Sequence, residues 1–490
     1  MIRSLRSGLP PALHSKTKPA MTSLPSSGKK PRLFGTDGVR GVYGEPPMDE
    51  LTLRRLAAAL ALELRAAPGD AAPPRVLMGG DTRESTAPIG QLFAAELAGR
   101  GIAVTWLGVL PTPGVAALVR REGAAAGVVL SASHNPWHDN GVKLIDGSGF
   151  KWTPAAEARL EARLETIAAA DLRGGEAELA VESKLVAAYS ASLLESLEGF
   201  RLDGLRIALD TGNGAASAFA APLFEAAGAT AEVINDRPDG RNINAGCGST
   251  HPEVIAATVI AARASGGGFD LGFSFDGDAD RALMADERGE VRDGDAILYL
   301  WARELEGRGQ LGGRVVATSM SNLGLEVALR REGIGLSRCD VGDREVVDML
   351  ERERLVLGGE QSGHIVNRRL QTTGDGLLTA LQIAAIVARG GRPLSAQLAG
   401  FARFPQVLRS YRVARKPPLD SLPAVAAAER RVHQELGEEG RLVLRYSGTE
   451  PLVRIMIEGP SREKIESLEQ ELAAVLLAEL ADRPVQSATP

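Results

Sequence analysis

One pattern recurs three times along the chain: an apolar strand, a polar turn rich in Asp, Thr, Ser or Asn, an amphipathic helix, then Gly and another apolar stretch. The first copy runs through Val76 to Met78, Gly79-Gly80-Asp81-Thr82-Arg83, a helix to Arg100 and Gly101-Ile102-Ala103-Val104. The second has Ile207 to Leu209, Asp210-Thr211-Gly212-Asn213-Gly214, a helix and Gly228; the third has Val315 to Ala317, Thr318 to Asn322, a helix and Gly333. Strands alternating with helices at this spacing make βαβ units on mostly parallel sheets, so three copies predict three similar α/β units. Chance likeness is the competing reading, since every such unit needs these same parts.

At about 150 residues per domain, a chain of 490 has room for these units and a fourth. After Arg412 the texture changes. Lys416-Pro417-Pro418 reads as a linker, Leu422 to Leu436 as an amphipathic helix, Arg441 to Tyr446 and Leu452 to Glu458 as paired strands, and Ser461 to Leu480 as a helix. The expected divisions are a basic arm over 1–31, α/β units over 32–190, 191–298 and 299–410, and a smaller α+β unit over 411–490. The arm carries no acidic residue and no secretory apolar segment, and reads as a flexible tail or as sequence ahead of a start at Met21.

Apolar residues at 44% and charged residues at 24% exclude wholesale disorder and a fibrous repeat. With a net charge of −6 there is no general basic field to attract nucleic acid or an anionic membrane, so any phosphate must be bound locally. Cys247 and Cys339, the only cysteines, form no metal or redox spacing, which favours a reducing, cytoplasmic setting. The uncharged stretch Gly101 to Val119 is broken by Thr105, Pro111 and Pro113, and reads as a buried strand followed by a Pro-rich turn.

Four segments carry chemistry. Ser131-Ala132-Ser133-His134-Asn135-Pro136 follows the apolar run Gly127 to Leu130, a placement that presents side chains at a sheet's C-terminal edge. Ser133 is a candidate nucleophile or phosphate carrier there, with His134 and Lys143 as electrostatic or proton-transfer partners. Lysine is scarce, nine against 47 arginines, so Lys143 reads as a compact, titratable amine chosen over the default cation. In Phe275-Asp276-Gly277-Asp278-Ala279-Asp280-Arg281, three carboxylates at alternate positions can converge on one hard cation, with Mg2+ favoured. An EF-hand is rejected, because its sixth position is Arg281 rather than Gly and the flanks read as strands.

The third segment is Gly358-Gly359-Glu360-Gln361-Ser362-Gly363-His364, where Glu360 and Ser362 point the same way if extended, as a polyol-binding pair should. The fourth is Arg445-Tyr446-Ser447-Gly448-Thr449-Glu450-Pro451, in which a forked cation, hydroxyls and a Gly-containing turn make a phosphate cradle. Structural readings stand beside each: a solvated acidic turn, an ordinary surface lysine, a common β-turn.

With Phe34-Gly35-Thr36-Asp37-Gly38-Val39-Arg40-Gly41 added, the segments resemble in order the signatures of the α-D-phosphohexomutase superfamily, from about Arg32 to about Leu480. The opening FGTDG-RG and Gln361 are similar to the bacterial branch acting on glucosamine phosphates; phosphomannomutase/phosphoglucomutase branches more often open YD-RG and carry Met in that loop. The resemblance implies an α/β protein of four domains around a central cleft: three similar mixed-sheet α/β domains and a C-terminal TATA-binding-protein-like α+β domain.

It further implies that Ser133 is the phosphoserine, and that Asp276, Asp278 and Asp280 hold one Mg2+ together with an oxygen of the Ser133 phosphate. Arg281 would contact the transferring group, Glu360 and Ser362 the sugar hydroxyls, and Arg445, Ser447, Gly448 and Thr449 the phosphate not being transferred. Arg40, His134, Lys143 and His364 would complete the charge and proton-transfer environment, with Gly342, Asp343 and Arg344 as further sugar-specificity candidates. Ala279 departs from a frequent Gly without removing a carboxylate.

The implied activity is interconversion of glucosamine 6-phosphate and glucosamine 1-phosphate through glucosamine 1,6-bisphosphate, feeding UDP-N-acetylglucosamine and cell-wall precursor synthesis. The partner expected is a small phosphosugar, with no nucleic acid or membrane, and a homodimer is left open. Alternatives are a phosphomannomutase/phosphoglucomutase, a serine-dependent metal phosphatase, or a silent sugar-phosphate binding protein.

Overall fold

Parallel strands buried on both faces need helices on both faces, and the repeated units supply them. The computed structural model describes residues 33–35, 37–66, 73–447 and 451–480; the arm expected over 1–31 lies outside the described residues.

The first domain comprises β1 (Val39–Val42), α1 (Glu50–Ala66), β2 (Arg75–Gly80), α2 (Thr86–Ala98), β3 (Ala103–Val109), α3 (Thr112–Glu122), β4 (Ala126–Leu130), β5 (Asp139–Asp146) and α4 (Pro154–Thr166). Its sheet has the order β3-β2-β4-β5-β1, with the first three strands parallel and the last two antiparallel. After α5 (Ser183–Glu195), the second domain repeats that plan with β6 (Arg206–Asp210), α6 (Ala220–Ala227), β7 (Thr230–Ile234), α7 (Pro252–Ala264), β8 (Leu271–Phe275), β9 (Ala282–Asp286) and β10 (Val291–Arg292) in the order β7-β6-β8-β9-β10.

The third domain follows α8 (Gly294–Gly307) with β11 (Arg314–Thr318), α9 (Leu323–Arg331), β12 (Gly335–Cys339), α10 (Asp343–Glu353), β13 (Leu357–Gly359), β14 (Ile365–Asn367), α11 (Gly376–Gly390) and α12 (Leu394–Gln397). Its order β12-β11-β13-β14 is the same plan less one edge strand. The expected threefold repeat is thus a repeat of topology. The polar turns behave alike too: Asp81 Oδ1 accepts the Arg83 N–H at 3.1 Å and Asp210 Oδ1 the Gly212 N–H at 3.0 Å, each closing a turn at its strand's C-terminal end.

The fourth domain pairs β15 (Gln406–Arg412), β16 (Arg441–Tyr446) and β17 (Leu452–Glu458) antiparallel in the order β15-β17-β16, under α13 (Pro423–Leu436) and α14 (Arg462–Leu480). Val453, Ile455 and Ile457 alternate toward those helices, each contributing on the order of 2 kcal/mol by burial.

Several expectations are corrected. The division after residue 410 falls inside β15, a full partner of β17, so the terminal sheet begins by Gln406. Divisions at 190/191 and 298/299 fall inside α5 and α8. One apolar core runs from Leu77 through Phe273 and Trp301 to Phe401 and joins the first three domains. Pro111 and Pro113 do not make a free turn; they start α3, where a missing N–H costs nothing. No helix among the described residues is long and apolar enough to cross a membrane.

Candidate active site

β4 is buried along its whole length and delivers Ser133 to the sheet edge with φ +51°, in the left-handed region. That conformation costs a non-glycine residue about 1–2 kcal/mol and needs an external brace. The Ser131 hydroxyl accepts the Ser133 N–H at 2.8 Å. The Arg83 guanidinium donates to the carbonyls of Ser133 at 3.1 Å and Asn135 at 2.6 Å, while Asn244 Nδ2 donates to the same two at 2.9 and 3.2 Å. Arg83 is itself paired with Asp81, both side chains fully buried. Neither Arg83 nor Asn244 was expected in the site. Arg83 lay within the first repeated polar turn, whereas Asn244 carried no sequence signal.

β8 leads in the same way to the acidic loop, and the two loops touch. Ser133 Oγ donates to Asp276 Oδ2 at 2.5 Å. Ala279 adopts φ +54°, which accounts for Gly being at home there, and a Cβ on Gly277 would lie 2.6 Å from the Ser133 carbonyl oxygen. Asp276, Asp278 and Asp280 are all buried, and one oxygen from each lies within 4.8 Å of the others.

Burial, then Asp280 and Asp278, push the Asp276 carboxyl well above its ordinary range. Asp278 faces the same burial, but Lys143 and a Thr112 hydroxyl bond at 2.5 Å hold it below the ordinary value. Asp278 Oδ1 and Asp280 Oδ1 are buried without a hydrogen-bond partner. A dry, all-oxygen cluster that crowds negative charge and leaves acceptors unmet fits a hard divalent cation. Thr112, at the start of α3, was missed because Pro111-Thr112-Pro113 was read as a turn.

Lys143 corrects an expectation. Its Nζ lies 2.8 Å from Asp278 Oδ2 and 3.0 Å from Asp37 Oδ2, in a side chain that is 2% exposed. Burial favours the neutral amine, but Asp278 and Asp37 outweigh it and raise its pKa, so it is a fixed ammonium rather than a titratable base. His134 is exposed, with Nδ1 at 3.4 Å from both Ser133 Oγ and Arg281 Nη1. Partial burial of its ring, then Arg281 and Arg40, lower its pKa. Arg40 donates to the Ala132 carbonyl at 3.1 Å and pairs with Asp37.

These groups border a cleft of about 560 Å3 lined by Asp37, Arg40, His134, Asp280 and Arg281 on one side and Gly342, Asp343, Glu360 and His364 on the other. Glu360 and Ser362 sit on a turn rather than on the extended run expected, and still converge, the Ser362 hydroxyl lying 3.4 Å from Glu360 Oε2. The Gly342 N–H donates to Glu360 Oε1 at 3.1 Å. His364 Nε2 accepts the Gly374 N–H at 3.1 Å.

Arg344 stands apart from the cleft, on Glu157 Oε1 at 2.7 Å and the Trp152 carbonyl at 2.8 Å. Gln361 turns to Asp293 Oδ2 at 3.0 Å.

Of the expected phosphate cradle, Arg445 is exposed on β16 opposite Arg454, and Ser447 is buried; Gly448 and Thr449 lie outside the described residues. Among the described residues, none of the fourth domain lines the cleft. The supposed linker braces this turn: Lys416 Nζ donates to the Ser447 carbonyl at 2.6 Å and the Tyr446 hydroxyl to the Pro417 carbonyl at 2.9 Å.

The phosphoglucomutase/phosphomannomutase family matches in four consecutive stretches: its α/β/α domain I over residues 31–171, domain II over 187–289, domain III over 293–404 and C-terminal domain over 410–475. The chain belongs to that family of phosphosugar mutases and is thereby an isomerase that transfers a phosphoryl group. Its place is among the phosphoglucosamine mutases: that of Koribacter versatilis is 46% identical, covering 90% of this chain and 96% of its own, and that of Solibacter usitatus is 44% identical, covering 92% and 99%. The fold is shared with a putative phosphomannomutase from Thermus thermophilus at 25% identity and TM-score 0.69, covering 91% of this chain and 99% of that one. It is also shared with a phosphoglucomutase/phosphomannomutase family protein from Burkholderia thailandensis at 23% identity and TM-score 0.74, covering 92% and 98%.

Proposed function

We propose that the chain interconverts glucosamine 6-phosphate and glucosamine 1-phosphate, with Ser133 as the phosphoryl carrier. The observation carrying this reading is the Ser133 hydroxyl, 2.5 Å from Asp276 in a buried carboxylate cluster beside a cleft lined by His134, Arg281, Glu360 and His364.

Phosphoryl transfer depends on positioning and charge neutralisation. A phosphate of charge about −2 on Ser133 would be repelled by three neighbouring carboxylates. A divalent cation such as Mg2+, held by Asp276, Asp278 and Asp280, supplies the compensating charge when bound. Arg281 and Arg40 add fixed positive charge, and Lys143 keeps Asp278 ionised and in place.

Phospho-Ser133 gives its phosphoryl group to the free end of the sugar phosphate, forming glucosamine 1,6-bisphosphate. The proton that leaves the sugar O–H as the new O–P bond forms passes by way of His134 to Ser133 Oγ, whose own bond to phosphorus breaks. After reorientation the Ser133 hydroxyl attacks the other phosphate; His134, with Nδ1 beside Oγ, takes that proton and returns it to the departing sugar oxygen. Glu360 and Ser362 read hydroxyls in both orientations, and the Arg445–Thr449 turn holds the phosphate at rest. Exclusion of water at transfer keeps the enzyme from acting as a phosphatase. Two buried free thiols, Cys247 and Cys339, support a reducing compartment such as the cytoplasm.

Intact-mass and peptide mapping should find phosphate on Ser133, and the protein should convert glucosamine 6-phosphate faster than glucose or mannose phosphates. Ser133→Ala should keep its fold and lose at least about a thousandfold in turnover. Retained turnover in that variant, or release of free phosphate as the main product, contradicts the proposal.

A further inference from the structure

Five charged side chains from all three α/β domains form an unbroken chain of alternating sign. Asp278 lies 2.8 Å from Lys143 Nζ, which lies 3.0 Å from Asp37 Oδ2; Asp37 Oδ1 accepts from Lys151 Nζ at 2.5 Å, and the same Nζ bonds Asp343. Arg40 also pairs with Asp37. At the far end, Asp343 opens α10 directly after Gly342, whose N–H is bonded to Glu360. The metal loop, the Ser133 domain and the sugar-facing loops are thus linked through two lysine ammoniums, of which Lys151 touches a carboxylate on either side of the cleft.

Lys151 belongs to none of the motifs above. It follows β5, bridges back to Ile145, and lines a cavity of about 290 Å3 between the first and third domains; Asp343 lines both that cavity and the active cleft. We infer that Lys151 is a positioning residue, which ties the Gly342–Arg344 and Glu360–His364 loops to the Ser133 domain and thereby sets the affinity for the hexose phosphate. This rests on the cleft being the sugar-phosphate site.

Without the ammonium, Asp343, less than a quarter exposed, would lose its cation while facing Asp37, which Lys143 and Arg40 still hold in place. A carboxylate this little exposed is costly without its cation and beside a second carboxylate, and the loop bearing Asp343 is the part free to yield. Burial opposes ionisation of Asp343, yet Lys151 holds its carboxyl down at about 2, so the negative charge is permanent at neutral pH. The domain seam keeps a second tie in the next residue, Arg344 on Glu157, so the domains stay joined and the shift falls on Gly342 and Asp343. An arginine can bridge two carboxylates through its fork, whereas methionine keeps the packing and loses the charge.

The test compares the full-length chain with Lys151→Met, Lys151→Arg, Asp343→Asn and the double variant Lys151→Met/Asp343→Asn, by glucosamine 6-phosphate kinetics and amide hydrogen exchange. In Lys151→Met, KM should rise roughly tenfold or more while kcat falls less than about threefold, with faster exchange confined to residues 341–346 and 359–364. Lys151→Arg should stay within about threefold of the parent KM. Removing the second carboxylate relieves the repulsion, so the double variant should bind better than Lys151→Met and match Asp343→Asn, itself raised about two- to fivefold in KM. Unchanged KM and exchange in Lys151→Met, a loss in kcat alone, or a double variant as weak as the single overturns the inference. Should Lys151→Met not fold, unaltered loop exchange in Asp343→Asn overturns it equally. If the parent protein does not turn over glucosamine 6-phosphate, the functional reading fails while the exchange comparison still decides whether Lys151 holds the loops.

Discussion

Arg83 shows how much of the site is held from beneath. Its guanidinium is paired with buried Asp81 and caps the carbonyls of Ser133 and Asn135, so it fixes a left-handed serine without touching the cleft. Arg83→Met would leave Asp81 buried and unpaired, at a cost of about 3–5 kcal/mol, and should lower both denaturant midpoint and turnover. Asp375 makes a different case. It N-caps α11 through the Leu378 N–H at 3.0 Å and accepts from the Tyr189 hydroxyl at 3.0 Å. Burial pushes its carboxyl from 3.8 up to about 6, so the folded chain binds that proton more tightly than the unfolded one. The stability it contributes is therefore complete below about pH 3.8 and is lost as pH rises through about 6. Asp375→Asn, which keeps the cap, should gain on the parent by roughly 3 kcal/mol between pH 4 and pH 8 in urea unfolding. A parallel pH dependence in the two proteins would refute this.

Elements matter here through where they end. β4 and β8 are parallel-type strands of neighbouring domains, and each ends in the loop that carries its chemistry. Such strands were legible because burial on both faces demands continuous apolar runs. β15 was not: Gln406-Val407-Leu408-Arg409-Ser410-Tyr411-Arg412 has only Val407 buried and reads as a tail rather than as a sheet strand. Loop closeness is tunable at one atom. A methyl group on Gly277 would collide with the Ser133 carbonyl, so Gly277→Ala should part the two loops, lower turnover at least about tenfold and weaken Mg2+ activation, with the global fold intact by circular dichroism. Parent-like activation by Mg2+ in that variant would show that the contact is dispensable.

At the scale of the molecule, the turn proposed to hold the resting phosphate belongs to a domain whose described residues do not reach the cleft. The fourth domain is joined to the third through Asn322, whose Nδ2 donates to the Phe404 carbonyl and Glu458 Oε1, both at 3.1 Å. A polar joint of this kind permits rotation more readily than the continuous core uniting the other three domains. A folded chain of this length has a radius of gyration of about 23 Å, and adding glucosamine 1,6-bisphosphate with Mg2+ should reduce it by roughly 1 Å in solution scattering. No change at saturating ligand would mean that the substrate is held without the fourth domain.

Contiguous chemistry was settled by the order of residues alone: three strand–turn–helix units, a serine turn after a buried strand, alternating carboxylates, and a terminal hairpin whose strands fall at 441–446 and 452–458. Each is written in a few neighbouring residues whose spacing carries the physics. Only the tertiary structure decided who meets whom across the domains: Ser133 with Asp276, Asn244 under the serine turn, Thr112 and Lys143 on Asp278, Lys151 between Asp37 and Asp343. An ion pair or hydrogen bond between residues more than a hundred positions apart leaves no periodicity behind. It exists only because packed sheets bring two strand ends to the same place, and that packing also turned a lysine that looked titratable into a permanently charged tie.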